Sequence, residues 1–122
     1  MKGIIKAKII LNYLWDMVID EFINNDKQAF YDLCKAHQVK YLFAFGSSVT
    51  GNFDFNKSDI DLLVEIDEPD PIKKGEKILS IWDKFESFFK RKVDLLTNLS
   101  IKNRILRDSI ELTKVLIYEQ KT

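Results

Sequence analysis

Two aspartates, Asp59 and Asp61, stand two residues apart in "SDIDLLV", and a third, Asp94, follows in "KVDLLT". In an extended strand, residues two apart share a face. Two ionised carboxylates held so close repel, and one is driven toward protonation unless a cation lies between them. A divalent ion removes that penalty, and hard oxygen donors favour Mg²⁺ or Mn²⁺ over zinc. Asp94, from another strand, could complete a carboxylate triad. Upstream, "FAFGSSV" ends an apolar run on Gly46-Ser47. A strand ending in Gly-Ser before a short helical turn leaves backbone N–H groups for an anion. Gly46 permits close approach of the backbone, and the Ser47 hydroxyl can donate to a phosphate oxygen. Metal carboxylates beside an anion-binding turn suggest phosphoryl or nucleotidyl transfer, in which the protein positions groups and neutralises charge.

The elements that must hold these residues are legible from periodicity. Val39 to Phe45 is an apolar run interrupted only by Lys40 and reads as a buried strand. Asp59 to Ile66 alternates with period two. Ile60, Leu62, Val64 and Ile66 point one way; Asp59, Asp61, Leu63 and Glu65 point the other. In "KRKVDLLT" the same alternation sets Val93 and Leu95 against Lys92, Asp94 and Leu96, and "TKVLIYE" reads as a fourth strand. Asn25 followed by Gln28 resembles a capping box, which predicts a helix from about Asp26 to His37 with Phe30, Leu33 and Cys34 inward. Asp70 caps a second helix with Pro71 at its first position. Its apolar face is broad: Ile78, Leu79, Ile81, Trp82, Phe85, Phe88 and Phe89. Ser100 is expected to cap a third, through about Arg107 or Ser109. Alternating helices and strands give an α/β or α+β class, with one mixed sheet of about four strands backed by helices.

Composition narrows the functional classes. The 122 residues make one domain with a real core. The formal net charge of zero supplies no global attraction to nucleic acid or anionic membrane. The single cysteine, Cys34, excludes an internal disulfide and fits a reducing, cytoplasmic setting. Cys34 reads as packing, and the lone His37 as a polar helix end rather than a catalytic base. Residues 1–24 read as an amphipathic helical extension preceding a domain at 25–122. Charges interrupt this segment too often for a membrane span, and it lacks the pattern of a signal peptide. Leu11, Leu14, Trp15, Val18 and Phe22 follow helical spacing. Such a helix packs on the domain or docks another chain; a translation start at Met17 is a third reading.

"GSSVTGNFDFNKSDIDLLV" followed by "KVDLLT" resembles the minimal nucleotidyltransferases of the DNA polymerase β superfamily, over about Lys35 to Tyr118. The resemblance implies a four-stranded mixed sheet backed by helices, with nucleotide on its open face. It implies nucleotide binding at Gly46, Ser47 and Ser48, and metal binding at Asp59 and Asp61. Asp94 matches the third carboxylate, which binds metal or helps deprotonate the acceptor hydroxyl. ATP is the implied substrate, and Mg²⁺ (or Mn²⁺) the implied metal. Small prokaryotic members often pair with a helical HEPN protein as antitoxin and toxin, with AMP transferred from ATP to a tyrosine of the toxin. No membrane or direct nucleic-acid partner is expected, while a homodimer is compatible. Two departures stand out. The eleven residues between Ser47 and Asp59 are one more than the family's commoner spacing. Arginines that often follow the Gly-Ser are replaced by Ser48 and Thr50; Lys57, or Lys90, Arg91 and Lys92, are substitutes for their phosphate contacts or else solvated surface. Three readings follow: transfer to a partner protein, an inert antitoxin acting by contact, or a small-molecule adenylyltransferase. The last usually needs an acceptor domain for which this chain has no room. A sheet open on one side suggests an acceptor on another chain, docking on the N-terminal helix or on Ser100 to Leu112.

Overall fold

The computed structural model of the chain describes residues 18–121. Its helices are α1 (residues 18–24), α2 (Lys27–Ala36), the single turn α3 (Ser47–Thr50), α4 (Pro71–Phe89) and α5 (Arg104–Thr113). Its strands are β1 (Val39–Phe45), β2 (Ile60–Ile66), β3 (Val93–Leu96) and β4 (Val115–Glu119). They form one mixed sheet in the order β3-β2-β1-β4. β1 is antiparallel to both β2 and β4, whereas β2 and β3 are parallel. A parallel pair needs a crossover, and α4 supplies it. The predicted class, a four-stranded mixed sheet backed by helices, is the class observed.

Alternation along β2 separates the layers. Ile60, Leu62, Val64 and Ile66 are buried and pack with Leu42, Ala44, Val93 and Leu95. Against them lie Phe30 and Cys34 of α2 and Ile81, Phe85 and Phe89 of α4. Full burial of each large apolar side chain contributes about 1.5–3 kcal/mol. Phe30, Phe85, Phe88 and Phe89 interlock with ring centroids 5.1 to 6.3 Å apart. Ile19 and Ile23 of α1 join the same cluster, so residues 18–24 pack on the domain. The expectations for residues 1–17, including a start at Met17, lie outside the described residues.

The opposite face is less open than the sequence suggests. Phe45 and Leu63 are buried beneath Ile101 and Ile110, with Phe43 and Leu96 beside them. These strand residues are apolar on the face that carries the aspartates, and they require cover. A 3-10 turn at Asn98–Ser100 and α5 provide it.

Caps set the helix boundaries. Asp26, not Asn25, caps α2, accepting from the Ala29 N–H at 3.1 Å. Asp70 caps α4 with Pro71 at the first position, as its sequence predicts. Asn103, not Ser100, caps α5, its Oδ1 accepting from the Ile105 and Leu106 N–H groups. Ser100 is committed elsewhere. Its hydroxyl accepts from the Thr97 N–H and donates to the Thr97 carbonyl, which closes the 3-10 turn.

Candidate active site

The parallel register brings the carboxylates together. Ile60 lies opposite Val93, and Asp61 lies opposite Asp94. Paired residues of neighbouring strands share a face, so Asp61 and Asp94 stand side by side. β3 is an edge strand, yet its first residue is held on its outer side. The Trp82 indole N–H donates to the Val93 carbonyl at 2.7 Å, and Glu86 accepts from the Val93 N–H at 2.9 Å. Both come from α4, one turn apart. They blunt the edge and fix the height at which Asp94 stands.

Asp61 is half-buried, whereas Asp94 is exposed. Burial raises the Asp61 carboxyl from 3.8 to about 6; the charges of Asp94 and Asp59 and a hydrogen bond shared with Asp94 push the same way. Asp59 precedes the first residue of β2, so the strand begins one residue later than its sequence suggests. It reaches Asp61 through its charge. The three predicted carboxylates therefore meet electrically at one end of β2 and β3.

The Gly46 turn abuts this group. Gly46 has φ 72° and ψ −149°, a backbone state that favours glycine. A Cβ at Gly46 would collide with the Asp61 carboxylate. Glycine is thus required twice, for its conformation and for the space Asp61 occupies. Ser47 opens α3 and is half-buried. The first N–H groups of a helix have no partner within it. Ser48 is buried, and its hydroxyl donates to the Phe45 carbonyl at 3.4 Å. Its side chain holds the turn, and what it can offer a phosphate is its backbone N–H.

The spacer after α3 is more ordered than a polar loop suggests. Asp54 and Ser58 close it on itself. The Ser58 N–H donates to the Asp54 carbonyl at 2.7 Å, and the Asp54 N–H donates to the Ser58 hydroxyl at 2.9 Å. Arg91 grips it from outside, donating from Nη1 to the Ser58 carbonyl and from Nη2 to the Phe55 carbonyl. Its guanidinium lies over the rings of Phe53, Phe22 and Phe55 at 4.8, 5.2 and 5.7 Å. Arg91 is therefore neither solvated surface nor a free phosphate contact. Lys57, Lys90 and Lys92 are exposed. The grip was not legible in advance because its rings come from α1 and from the spacer, segments far apart in sequence.

Two residues outside the site behave as their sequence context suggests. His37 caps α2: its Nδ1–H donates to the Leu33 carbonyl, so its Nε2 accepts from the Ser80 hydroxyl, both at 2.9 Å. Cys34 is fully buried, and burial pushes its thiol up to about 12. A cavity of about 630 Å³ runs along β4 beside Tyr31 and Lys35. No carboxylate of the triad lines it, so cavity size does not locate this chemistry.

Among the described residues, no three His, Cys, Asp or Glu side chains form a metal cage. Mg²⁺ does not require one. It is commonly held by one or two carboxylates, with substrate phosphates and water completing its octahedron. Asp61 and Asp94, with the charge of Asp59 beside them, form a hard-oxygen set whose repulsion a divalent ion would offset. The donor set fits the metal.

Comparison with known proteins follows the same outline. The family model described as "Polymerase beta, Nucleotidyltransferase" matches residues 28–122. A Methanocaldococcus jannaschii protein whose name proposes protein adenylyltransferase activity is 34% identical over 93 residues, which is 76% of this chain and 88% of that protein. A crystal structure of a toxin–antitoxin with AMP-PNP superposes with a TM-score of 0.57 at 20% identity, over 79% of this chain and 75% of the other. The toxin–antitoxin MntA-HpeT, in a mutant with two Asp→Glu changes, also gives 0.57, at 18% identity over 79% and 75%. These two likenesses establish the fold.

Proposed function

The chain belongs to the polymerase β nucleotidyltransferase family, and from that premise we propose that it transfers AMP from ATP to a hydroxyl of a partner protein, as the antitoxin of a HEPN-type toxin. The observation that carries this reading is the placement of Asp61 beside Asp94, under the charge of Asp59 and against the Gly46 turn. The name of the Methanocaldococcus jannaschii relative supports a protein acceptor. The toxin–antitoxin names of the two structural neighbours are consistent with the partner.

In this reading the triphosphate lies along the α3 turn, its oxygens met by backbone N–H groups and the Ser47 hydroxyl. Asp59, Asp61 and Asp94 would hold Mg²⁺, which supplies neutralisation of the triphosphate and a more acidic acceptor hydroxyl. Asp94, the more exposed carboxylate, takes the hydroxyl proton. The freed oxygen attacks the α-phosphorus and forms a phosphodiester. The bond from the α-phosphorus to the oxygen bridging to the β-phosphate breaks, and pyrophosphate leaves with that electron pair. Gly46 leaves room for phosphate and for Asp61 at once.

A second reading is favoured by one observation. Arg91, one of the groups offered as substitutes for the missing arginines, is engaged within the fold, and Ser48, which stands in an arginine's place, is bonded to the Phe45 carbonyl. In that case the chain neutralises its partner by contact, and the carboxylates are vestigial. Calorimetry with ATP and Mn²⁺ separates the two. The transfer reading expects nucleotide affinity that rises with Mn²⁺ and falls in the double variant Asp59→Asn/Asp61→Asn. Equal affinity in the folded double variant and the native chain contradicts it.

A further inference from the structure

We infer that Arg91 is a positioning residue for the carboxylate site, fixing where Asp59 enters β2 beside β3. This deepens the nucleotidyl-transfer reading and rests on it. The inference comes from how Asp59 is bracketed. On one side the Arg91 Nη1 donates to the carbonyl of Ser58, the residue before Asp59, at 3.0 Å. On the other, the carbonyl of Lys92 accepts from the N–H of Ile60, the residue after Asp59, at 3.1 Å. Two consecutive residues of the β3 approach thus hold both neighbours of Asp59. The same stretch leads within two residues to Asp94. The entry of β2 and the entry of β3 are set by one device.

Arg91 suits this role because it is held from every side. Phe22, Phe53 and Phe55 sandwich its guanidinium, and those rings also contact one another at 5.1 to 6.3 Å. Its second fork arm reaches the Phe55 carbonyl at 3.3 Å. Its backbone N–H is tied to the Glu86 carbonyl of α4 at 3.3 Å. Its Nε is buried with no acceptor among the described residues, a cost that the ring contacts and the two fork bonds must offset. A planar fork with two aimed donors is what lysine lacks. Phe22 comes from α1, so that helix supports the site through this cage.

The test uses the full chain and three variants: Arg91→Met, Arg91→Lys and Phe55→Ala. Phe55 is 58% exposed, so its loss spares the core. Each variant is checked for folding by circular dichroism. Half-saturation by Mn²⁺ is then read by electron paramagnetic resonance, with a non-hydrolysable ATP analogue present, alongside AMP transfer. Loss of groups that orient metal ligands typically costs about 10–100-fold in metal affinity or activity. Arg91→Met is expected to raise the half-saturating Mn²⁺ on the order of ten-fold or more and to lower kcat more than it raises KM for ATP. Arg91→Lys, with stacking charge but no fork, and Phe55→Ala are expected to fall between it and the native chain. Mere destabilisation that leaves a variant at least half folded by circular dichroism moves Mn²⁺ half-saturation by no more than about two-fold, well short of the expected shift. Unchanged half-saturation in folded Arg91→Met overturns the inference; if that variant does not fold, unchanged half-saturation in Phe55→Ala overturns it instead. A native chain that binds no Mn²⁺ with nucleotide and transfers no AMP overturns the reading beneath it.

Discussion

The two faces of β2 differ in what they do with the same backbone. On one, Ile60, Leu62, Val64 and Ile66 are at most 1% exposed and bury against α2 and α4. On the other, Asp61 stands beside a second carboxylate, Leu63 is covered by Ile101 and Ile110, and Glu65 is paired with Lys74 at 2.6 Å. The first face stabilises the domain. The second spends part of that stability to keep two acids adjacent. A one-residue change of register would exchange the faces, so the apolar side also determines where the acids stand.

The largest break in this contrast comes from the apolar face. Leu62→Ala removes a fully buried side chain and is expected to cost about 2–5 kcal/mol, with the spread set by how far the site collapses. Urea unfolding measures it. Metal and nucleotide affinity of the remaining folded chain should hardly change, since Leu62 points away from Asp61.

A smaller break comes from the turn that touches the acidic face. Gly46→Val places a branched side chain where φ is 72° and the Asp61 carboxylate already sits. At φ 72° and ψ −149°, a region occupied almost only by glycine, a residue with a Cβ costs about 1–3 kcal/mol, a loss visible in thermal unfolding. Nucleotide binding should suffer more than folding, because Asp61 is displaced and phosphate approach is blocked. A folded Gly46→Val chain that binds ATP normally would rule out the phosphate cradle.

The smallest effect sharpens the contrast by pH. The folded chain keeps a proton on Asp61 up to about 6, while the ordinary carboxyl releases it near 3.8. Between those values the native state binds more protons than the unfolded one. The favourable contribution is therefore complete below the lower value and is lost as pH rises through the upper. Because Asp61 is only half-buried, solvent screening reduces the effect to about 1 kcal/mol. Asp61→Asn should remove this part of the slope and raise stability at neutral pH by a similar amount. Urea titrations across pH 4 to 7 measure it, and a variant with the native slope would locate the acidic strain elsewhere.

What was legible in the sequence follows the range of the forces involved. Strand alternation, the Pro71 start of α4 and the Gly-Ser and Asp-x-Asp motifs are short-range patterns, and the structure places those elements where the patterns do. The caps at Asp26 and Asn103 were missed because several adjacent polar residues could serve, and side-chain geometry chooses between them. Cover by α5 was missed because the burial of Phe45 and Leu63 depends on Ile101 and Ile110, which lie 38 to 65 residues downstream. The face shared by Asp94 and Asp61 was legible from alternation. Their direct opposition was not, because parallel register is fixed by α4 and by the hold of Trp82 and Glu86 on Val93. The Arg91 cage joins three segments, and no local pattern announces it.

The most direct measurement is transfer of label from ATP marked at its α-phosphate to the proposed HEPN-type partner protein, with Mg²⁺ present. The native chain is compared with Asp94→Asn, and a pull-down of the partner runs in parallel. Loss of a group acting as base typically lowers rate by about 10²–10⁴-fold. The account predicts label on a partner hydroxyl with the native chain, a loss of that size in Asp94→Asn, and partner capture unchanged. Full neutralisation of the partner by Asp94→Asn, with no label transferred even by the native chain, would contradict it.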